Sequence, residues 1–225
     1  MTNFNFYDFE NFKFTENFLN RKFEENSLIF NNEKYTRPKA IPKGSFLKMC
    51  VVDVVDGDTI SVMQVNDEKY EDLIGENGER LVDYRLFRMR VCGIDSPEMG
   101  RNGKEDQPYA QMAKDYMSHL VFKKIVAVQF LHIDRFGRIL GLLYLEDGDQ
   151  YKIINLYMVR AGLAFIYGGR DPFYGVDPGI FEQTLRLAKE EKLNIFSQDT
   201  IILPSEGKKH SGTIGMEKDS DEEDE

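Results

Sequence analysis

Val51-Val52-Asp53-Val54-Val55-Asp56-Gly57-Asp58-Thr59-Ile60-Ser61-Val62-Met63-Gln64-Val65 is the stretch whose reading decides the fold. Two runs rich in β-branched residues meet at Asp-Gly. Such residues suit a pleated, half-buried surface, and Asp-Gly between two such runs signals a hairpin. Leu47–Val55 and Thr59–Val65 are therefore predicted as paired strands. Tyr84–Ile94 reads as a third strand, with apolar and polar residues mixed as where a basic side chain points into a site. Pro108–Phe122 is predicted helical, because Ala110, Ala113, Met117 and Leu120 form a stripe at three- and four-residue spacing. Pro108 suits its first turn. Ile125–His132 and Ile139–Leu145 are further strands, joined tightly through Asp134–Arg138, and Asp147-Gly148-Asp149 leads into another short β run.

Asn155–Ala161 reads as a short helix ended by Gly162, and Ile180–Lys192 as a long one with Phe181, Leu185 and Ala188 on one stripe. Leu193–Phe196 is expected to pack back on the core. Five strands in two hairpin-linked groups, with a helix between the third and fourth, predict an α+β fold: a five-stranded OB-type barrel with about three packed helices. Three regions follow: an extension over residues 1–45, the barrel domain over 46–203, and a disordered acidic tail over 204–225. The extension carries Phe4, Phe6, Phe9, Phe12, Phe14 and Phe18, which would dock on the chain's own domain or on a protein partner, and the acidic tail is a second candidate for recruiting such a partner. Asn66–Val82 is charged and glycine-punctuated, as in a long hairpin arm or loop, and Ala164–Gly179 reads as a loop.

With 41% hydrophobic and 30% charged residues, the composition is that of a globular protein with polar excess. The net charge of -10 argues at first against a nucleic-acid partner, which usually leaves a basic footprint. Its distribution weakens that objection, since Met216–Glu225 holds seven acids against one lysine. Cys50 and Cys92 lie in apolar runs and read as buried thiols, not as a disulfide framework or zinc site. His119, His132 and His210 are isolated and read as surface or packing residues. The N-terminus lacks the basic start and apolar core of a secretory signal, and no run approaches the roughly 20 apolar residues of a membrane span. An intracellular location, cytoplasmic or nuclear, and a monomer are expected.

The chemistry-bearing residues fall in three places: Asp56-Gly57-Asp58-Thr59; Arg90 with Asp95-Ser96-Pro97-Glu98; and Asp134-Arg135-Phe136-Gly137-Arg138. Asp58 and Asp95 are hard oxygen ligands, suited to Ca²⁺ or Mg²⁺. Arg90 and Arg138 have the planar fork that matches phosphate oxygens. Each alone has a plainer reading: Asp56-Gly57 as a β-turn, the arginines as partners of surface acids, Glu98 as a solvated loop residue. Together and in this order they are the equipment for metal-assisted phosphodiester cleavage.

On these motifs the chain resembles the staphylococcal (micrococcal) nuclease family over roughly Lys48–Asp199. The resemblance extends to Val159-Arg160-Ala161-Gly162-Leu163-Ala164 and to Ala188–Phe196. It implies a Ca²⁺-dependent nuclease that cleaves DNA and RNA and leaves 3′-phosphates. It assigns Ca²⁺ to the carboxylates of Asp58 and Asp95 and the backbone carbonyl of Ser96. It gives Glu98 the attacking water, and Arg90 and Arg138 the scissile phosphate. Arg135, Phe136, Tyr167 and Tyr174 are candidates for substrate contact. The chain departs from the family in the longer arm over Asn66–Val82, a slightly shorter Met99–Gln107 loop, Phe136 for a tyrosine of the nucleotide pocket, and Phe196 for a tryptophan. The rival reading is a non-catalytic module of the same fold that binds nucleic acid or protein.

Overall fold

The Asp-Gly hairpin forms, and the rest of the barrel grows from it. The computed structural model describes residues 19–21, 28–100, 103–169 and 174–204. The aromatics Phe4 to Phe18 and the acidic tail from Ser205 lie outside them. In chain order the strands are β1 (Asn20–Arg21), β2 (Phe46–Val54), β3 (Thr59–Gln64), β4 (Leu86–Val91), β5 (Ile94–Asp95), β6 (Ile125–Ile133), β7 (Ile139–Asp147), β8 (Gln150–Ile153) and β9 (Phe165–Ile166). The helices are α1 (Tyr70–Leu73), α2 (Ala110–Val121), α3 (Ile154–Arg160) and α4 (Pro178–Glu190).

β3 pairs antiparallel with β2 and with β4, β2 with β6, and β6 with β7. A parallel pairing of β4 with β7, Arg90 opposite Leu140, closes the five strands into a barrel. This is the OB-type α+β architecture expected. β8 extends β7, and β1 adds beyond it.

Every residue of β3 is buried, so both its faces are covered. Ile60 and Val62 belong to the main core, together with Leu47, Met49 and Val128. On the other face Met63 and Val65 form a separate cluster with Cys50 and Leu73, against which Val82, Tyr84 and Ile125 pack. The arm over residues 66–82 supplies that cover through the four-residue α1, where the sequence promised only a hairpin arm or loop. The segment ahead of Phe46 also packs on the barrel. Leu19, Tyr35 and Ile41 are buried in the main core, and the Gln64 amide accepts from Tyr35 N (3.0 Å) and donates to Glu33 O (2.7 Å).

α2 buries Ala110, Ala113, Met117 and Leu120 as its periodicity requires, and Tyr116 and Val121 besides. It starts later than expected: Pro108 precedes it, and Tyr109, in the left-handed region at φ 67°, caps it. α3 ends in paired bonds from Gly162 N to Val159 O and from Leu163 N to Met158 O, the Schellman pattern with glycine at C′. α4 opens on Asp177, whose carboxylate accepts from Gly179 N at 3.0 Å, with Pro178 behind it. Beyond it Ile195 and Phe196 are buried in a small cluster of their own with Ala188, apart from the main core to which they were assigned by the sequence, and Ile195 N donates to Gly162 O at 3.1 Å. The third strand stops sooner than its composition indicated. Gly93, at φ 74°, turns the chain after Val91, and Ile94–Asp95 leaves to pair with Phe165–Ile166. No helix among the described residues is long and apolar enough to cross a membrane.

Candidate active site

The β2–β3 turn, the end of β4 and β5 converge at one end of the barrel. Within the turn, Asp56 Oδ1 accepts from Asp58 N at 3.1 Å and Val55 N donates to Thr59 O at 2.9 Å. Gly57 lies so close to its neighbours that a Cβ there would stand 2.7 Å from the Ser96 Cβ and 2.8 Å from the Ala113 Cβ. Only a residue without a side chain lets the turn sit against both. Asp58 is thereby carried to Ser96, whose N–H donates to its Oδ2 at 2.8 Å, while Thr59 Oγ1 donates to its Oδ1 at 3.0 Å.

Arg90, opposite Thr59 in the sheet, lies between two acids. One amino group donates to Asp58 Oδ1; the other donates to Asp95 Oδ1 at 2.5 Å and to the Ile94 carbonyl at 3.3 Å. Its side chain is only 13% exposed. Burial works to discharge the guanidinium, but the charges of Asp58 and Asp95 outweigh it and raise its pKa further, so Arg90 stays cationic. Arg90 thus points into the site as its strand predicted, and its acid partners are covered ones of the site itself, where the plainer reading had surface acids. Burial, and next the charge of Asp58, push the neighbouring Asp56 carboxyl up to about 7.

In front of this cluster is a cleft of about 910 Å³, lined among others by Asp56, Arg90, Glu98, Arg138, Phe136 and Tyr167. Arg138 arrives on the β6–β7 turn, which a single carboxylate organises. Asp134 Oδ1 accepts from Phe136 N and Arg138 N, each at 2.9 Å, and its Oδ2 accepts from Arg138 Nε at 2.6 Å. Burial raises the Asp134 carboxyl, but the Arg138 backbone and side chain outweigh it and hold it below the usual range. Phe136 is 69% exposed, with the Arg135 guanidinium 4.8 Å and the Arg138 guanidinium 5.4 Å from its ring centre.

Nine of the ten expected site residues thus gather in or just behind one cleft. Tyr174 does not line the cleft but touches its wall: its hydroxyl donates to the Tyr167 carbonyl at 3.5 Å, and its ring packs on Phe181 at 5.1 Å. Asp56 and Asp134 lay in the expected motifs without a chemical task of their own, and His132 was read as a surface or packing residue, yet all three line the cleft. The signal for His132 was its place in the sequence, near the end of β6 and next to the turn that Asp134 organises.

Comparison with known proteins gives the family. The profile described as "Staphylococcal nuclease homologue" matches residues 88–198. An uncharacterized endonuclease of Escherichia coli is 32% identical over 154 residues, 68% of this chain and 80% of that protein. This chain belongs to the staphylococcal nuclease family. Endonuclease Htp3 of Saprolegnia parasitica is 29% identical over 181 residues, 78% of this chain and 84% of its own length. A probable endonuclease LCL3 of Nakaseomyces delphensis is 29% identical over 122 residues, and there the match spans only 47% of the relative.

The metal expected for a staphylococcal nuclease can be tested against the donors. Asp58 and Asp95 reach the same guanidinium, so their carboxylates already share one cation. The Ser96 N–H is tied to Asp58, so the residue whose carbonyl the family resemblance implies as a ligand adjoins that carboxylate. All are hard oxygens, as Ca²⁺ requires. Among the described residues no group of three or more His, Cys, Asp or Glu side chains is placed to hold a metal. The remaining ligands would be backbone and water oxygens, which Ca²⁺ accepts in irregular arrangements.

Proposed function

We propose that this chain is a Ca²⁺-dependent nuclease that hydrolyses phosphodiester bonds of DNA and RNA and leaves 3′-phosphates. The observation that carries the reading is the joint placement of Arg90, Arg138 and Glu98 on one cleft, with paired carboxylates behind it. The carboxylates of Asp58 and Asp95 and the carbonyl of Ser96 would hold Ca²⁺. When bound, the ion supplies positive charge to the phosphate and acidity to a coordinated water.

Arg138 keeps Nε on Asp134, which fixes the plane of its guanidinium at the cleft wall. Its role is to donate to phosphate oxygens as negative charge builds on them. Arg90 faces a choice, because both its amino groups are engaged by carboxylates. Of its five N–H donors these two bonds and the one to the Ile94 carbonyl use three, so a phosphate meets the other two or displaces a carboxylate. Glu98 takes a proton from the attacking water as the new P–O bond forms. The bond to the 5′ oxygen breaks, and that oxygen leaves with a proton from solvent.

A plasmid-nicking assay, extended to single-stranded DNA and RNA, tests the reading. All three substrates should be degraded in Ca²⁺ and spared in chelator. Full activity in chelator, or none at millimolar Ca²⁺, would overturn it. In the second case the chain is a binding module of the same fold.

A further inference from the structure

Within the stretch between β5 and α2, Glu98 and Gln107 are bonded to each other twice. Glu98 N donates to Gln107 Oε1 at 2.7 Å, and Gln107 N donates to Glu98 O at 3.0 Å. The other half of the same side-chain amide, Nε2, donates to the Leu203 carbonyl at 3.3 Å. One oxygen thus faces a donor and one nitrogen faces an acceptor, which fixes the orientation of the amide. Behind Gln107 the chain is anchored as well, since Ala110 N donates to Gln107 O at 3.0 Å at the entry to α2. Ahead of Glu98 the buried Ser96 is tied to Asp58.

We infer that Gln107 is a positioning residue for Glu98: its side-chain amide, braced on Leu203, pins the Glu98 backbone and so aims the Glu98 carboxylate into the cleft. The inference rests on the reading of Glu98 as the group that takes the water's proton. A base whose backbone drifts by an ångström loses its alignment with the water, and misplacements of that size cost on the order of 10²-fold in rate. Binding of the nucleic acid depends instead on the arginines, which Gln107 does not touch. A lost clasp should therefore act on kcat and leave KM nearly unchanged.

The experiment is a double-mutant cycle on the full chain with Gln107→Ala and Glu98→Gln, read as kcat and KM, together with hydrogen exchange at the Glu98 amide. Gln107→Ala should lower kcat by about 10- to 100-fold, with KM little changed, and should speed exchange at the Glu98 N–H. On the Glu98→Gln background the same substitution should cost little more, because its effect passes through a carboxylate already gone. An equal loss on both backgrounds, or unchanged exchange at Glu98, overturns the inference. Wild-type kcat in Gln107→Ala beside an inactive Glu98→Gln also overturns it and leaves the role of Glu98 standing. Wild-type kcat in Glu98→Gln shows instead that the reading of Glu98 has failed.

Discussion

Arg90 and Arg138 look equivalent in the sequence and are not equivalent in the molecule. Arg90 is held by Asp58 and Asp95, and Asp58 is 1% exposed. Arg90→Ala would leave two covered acids facing each other without their counter-charge, a loss of about 3–5 kcal/mol when one partner of a buried pair is removed. Its melting temperature should fall sharply along with activity. Arg138→Ala removes a donor from the cleft, while Asp134 keeps the N–H groups of Phe136 and residue 138. It should cut turnover by on the order of 10²–10³ with a small change in melting temperature. Equal melting temperatures for the two variants would refute this division. Phe136 belongs to the same scale. Under the proposed function its exposed ring offers a face to a nucleobase, and stacking contributes about 1–3 kcal/mol per base. Phe136→Ala should weaken binding of single-stranded oligonucleotide in a fluorescence titration and leave binding of an abasic one unchanged, whereas Phe136→Tyr should keep both. The placement of these residues was legible as far as it was local. Asp58 and Glu98 sit on short motifs that carry their own turns. The bridge made by Arg90 was not, because no spacing reveals that acids separated along the chain will flank one guanidinium.

At the level of elements, the arm over residues 66–82 is tied down by a small polar junction. The Tyr84 hydroxyl donates to Glu68, and Lys34 brings its ammonium 3.6 Å from Glu68 and 4.1 Å from the Tyr84 ring centre. Three separate pieces of chain meet there: the N-terminal segment, the arm and the approach to β4. The Tyr84 hydrogen bond, above other causes, holds the Glu68 carboxyl down to about 2. A carboxyl whose folded pKa is depressed stabilises the fold above the unfolded value, about 4.3 for Glu. That contribution disappears as pH falls from about 4 to about 2. Glu68→Gln should therefore melt lower than the parent at pH 7, and the gap should close across that acid window. A gap that persists undiminished near pH 2 would show that the carboxylate charge is not its source. Long elements were readable because a stripe such as that of α2 repeats several times. The four-residue α1 and the two-residue pairings of β5 with β9 and β1 with β8 were not. Each is shorter than the period needed to announce it, and each is fixed by what it covers.

For the whole molecule, the topology was legible from the count and order of strands and the helix between the third and fourth. The covering of the barrel's outer face was not, because buried strands such as β3 show no alternation to say which side needs a lid. Closure depends on the parallel seam between β4 and β7, where Met89 meets Ile139 and Arg90 meets Leu140. A parallel pair cannot be made by a tight turn; the chain between must first run out and return. Here that excursion holds β5, α2 and β6. Contacts so distant along the chain form late, since the entropy of closing the loop is lost before the contact returns anything. Arg90 lies on one side of the seam, and Arg138 immediately precedes the strand on the other. No partly folded chain can bring both to one phosphate. During refolding from denaturant, amide protection in the β2–β3 hairpin should precede closure, and cleavage of substrate should appear only with the last kinetic phase. Cleavage that appears ahead of that phase would mean the seam is not what assembles the site. A nuclease assembled this way has no activity to offer while it is still an emerging or half-unfolded chain.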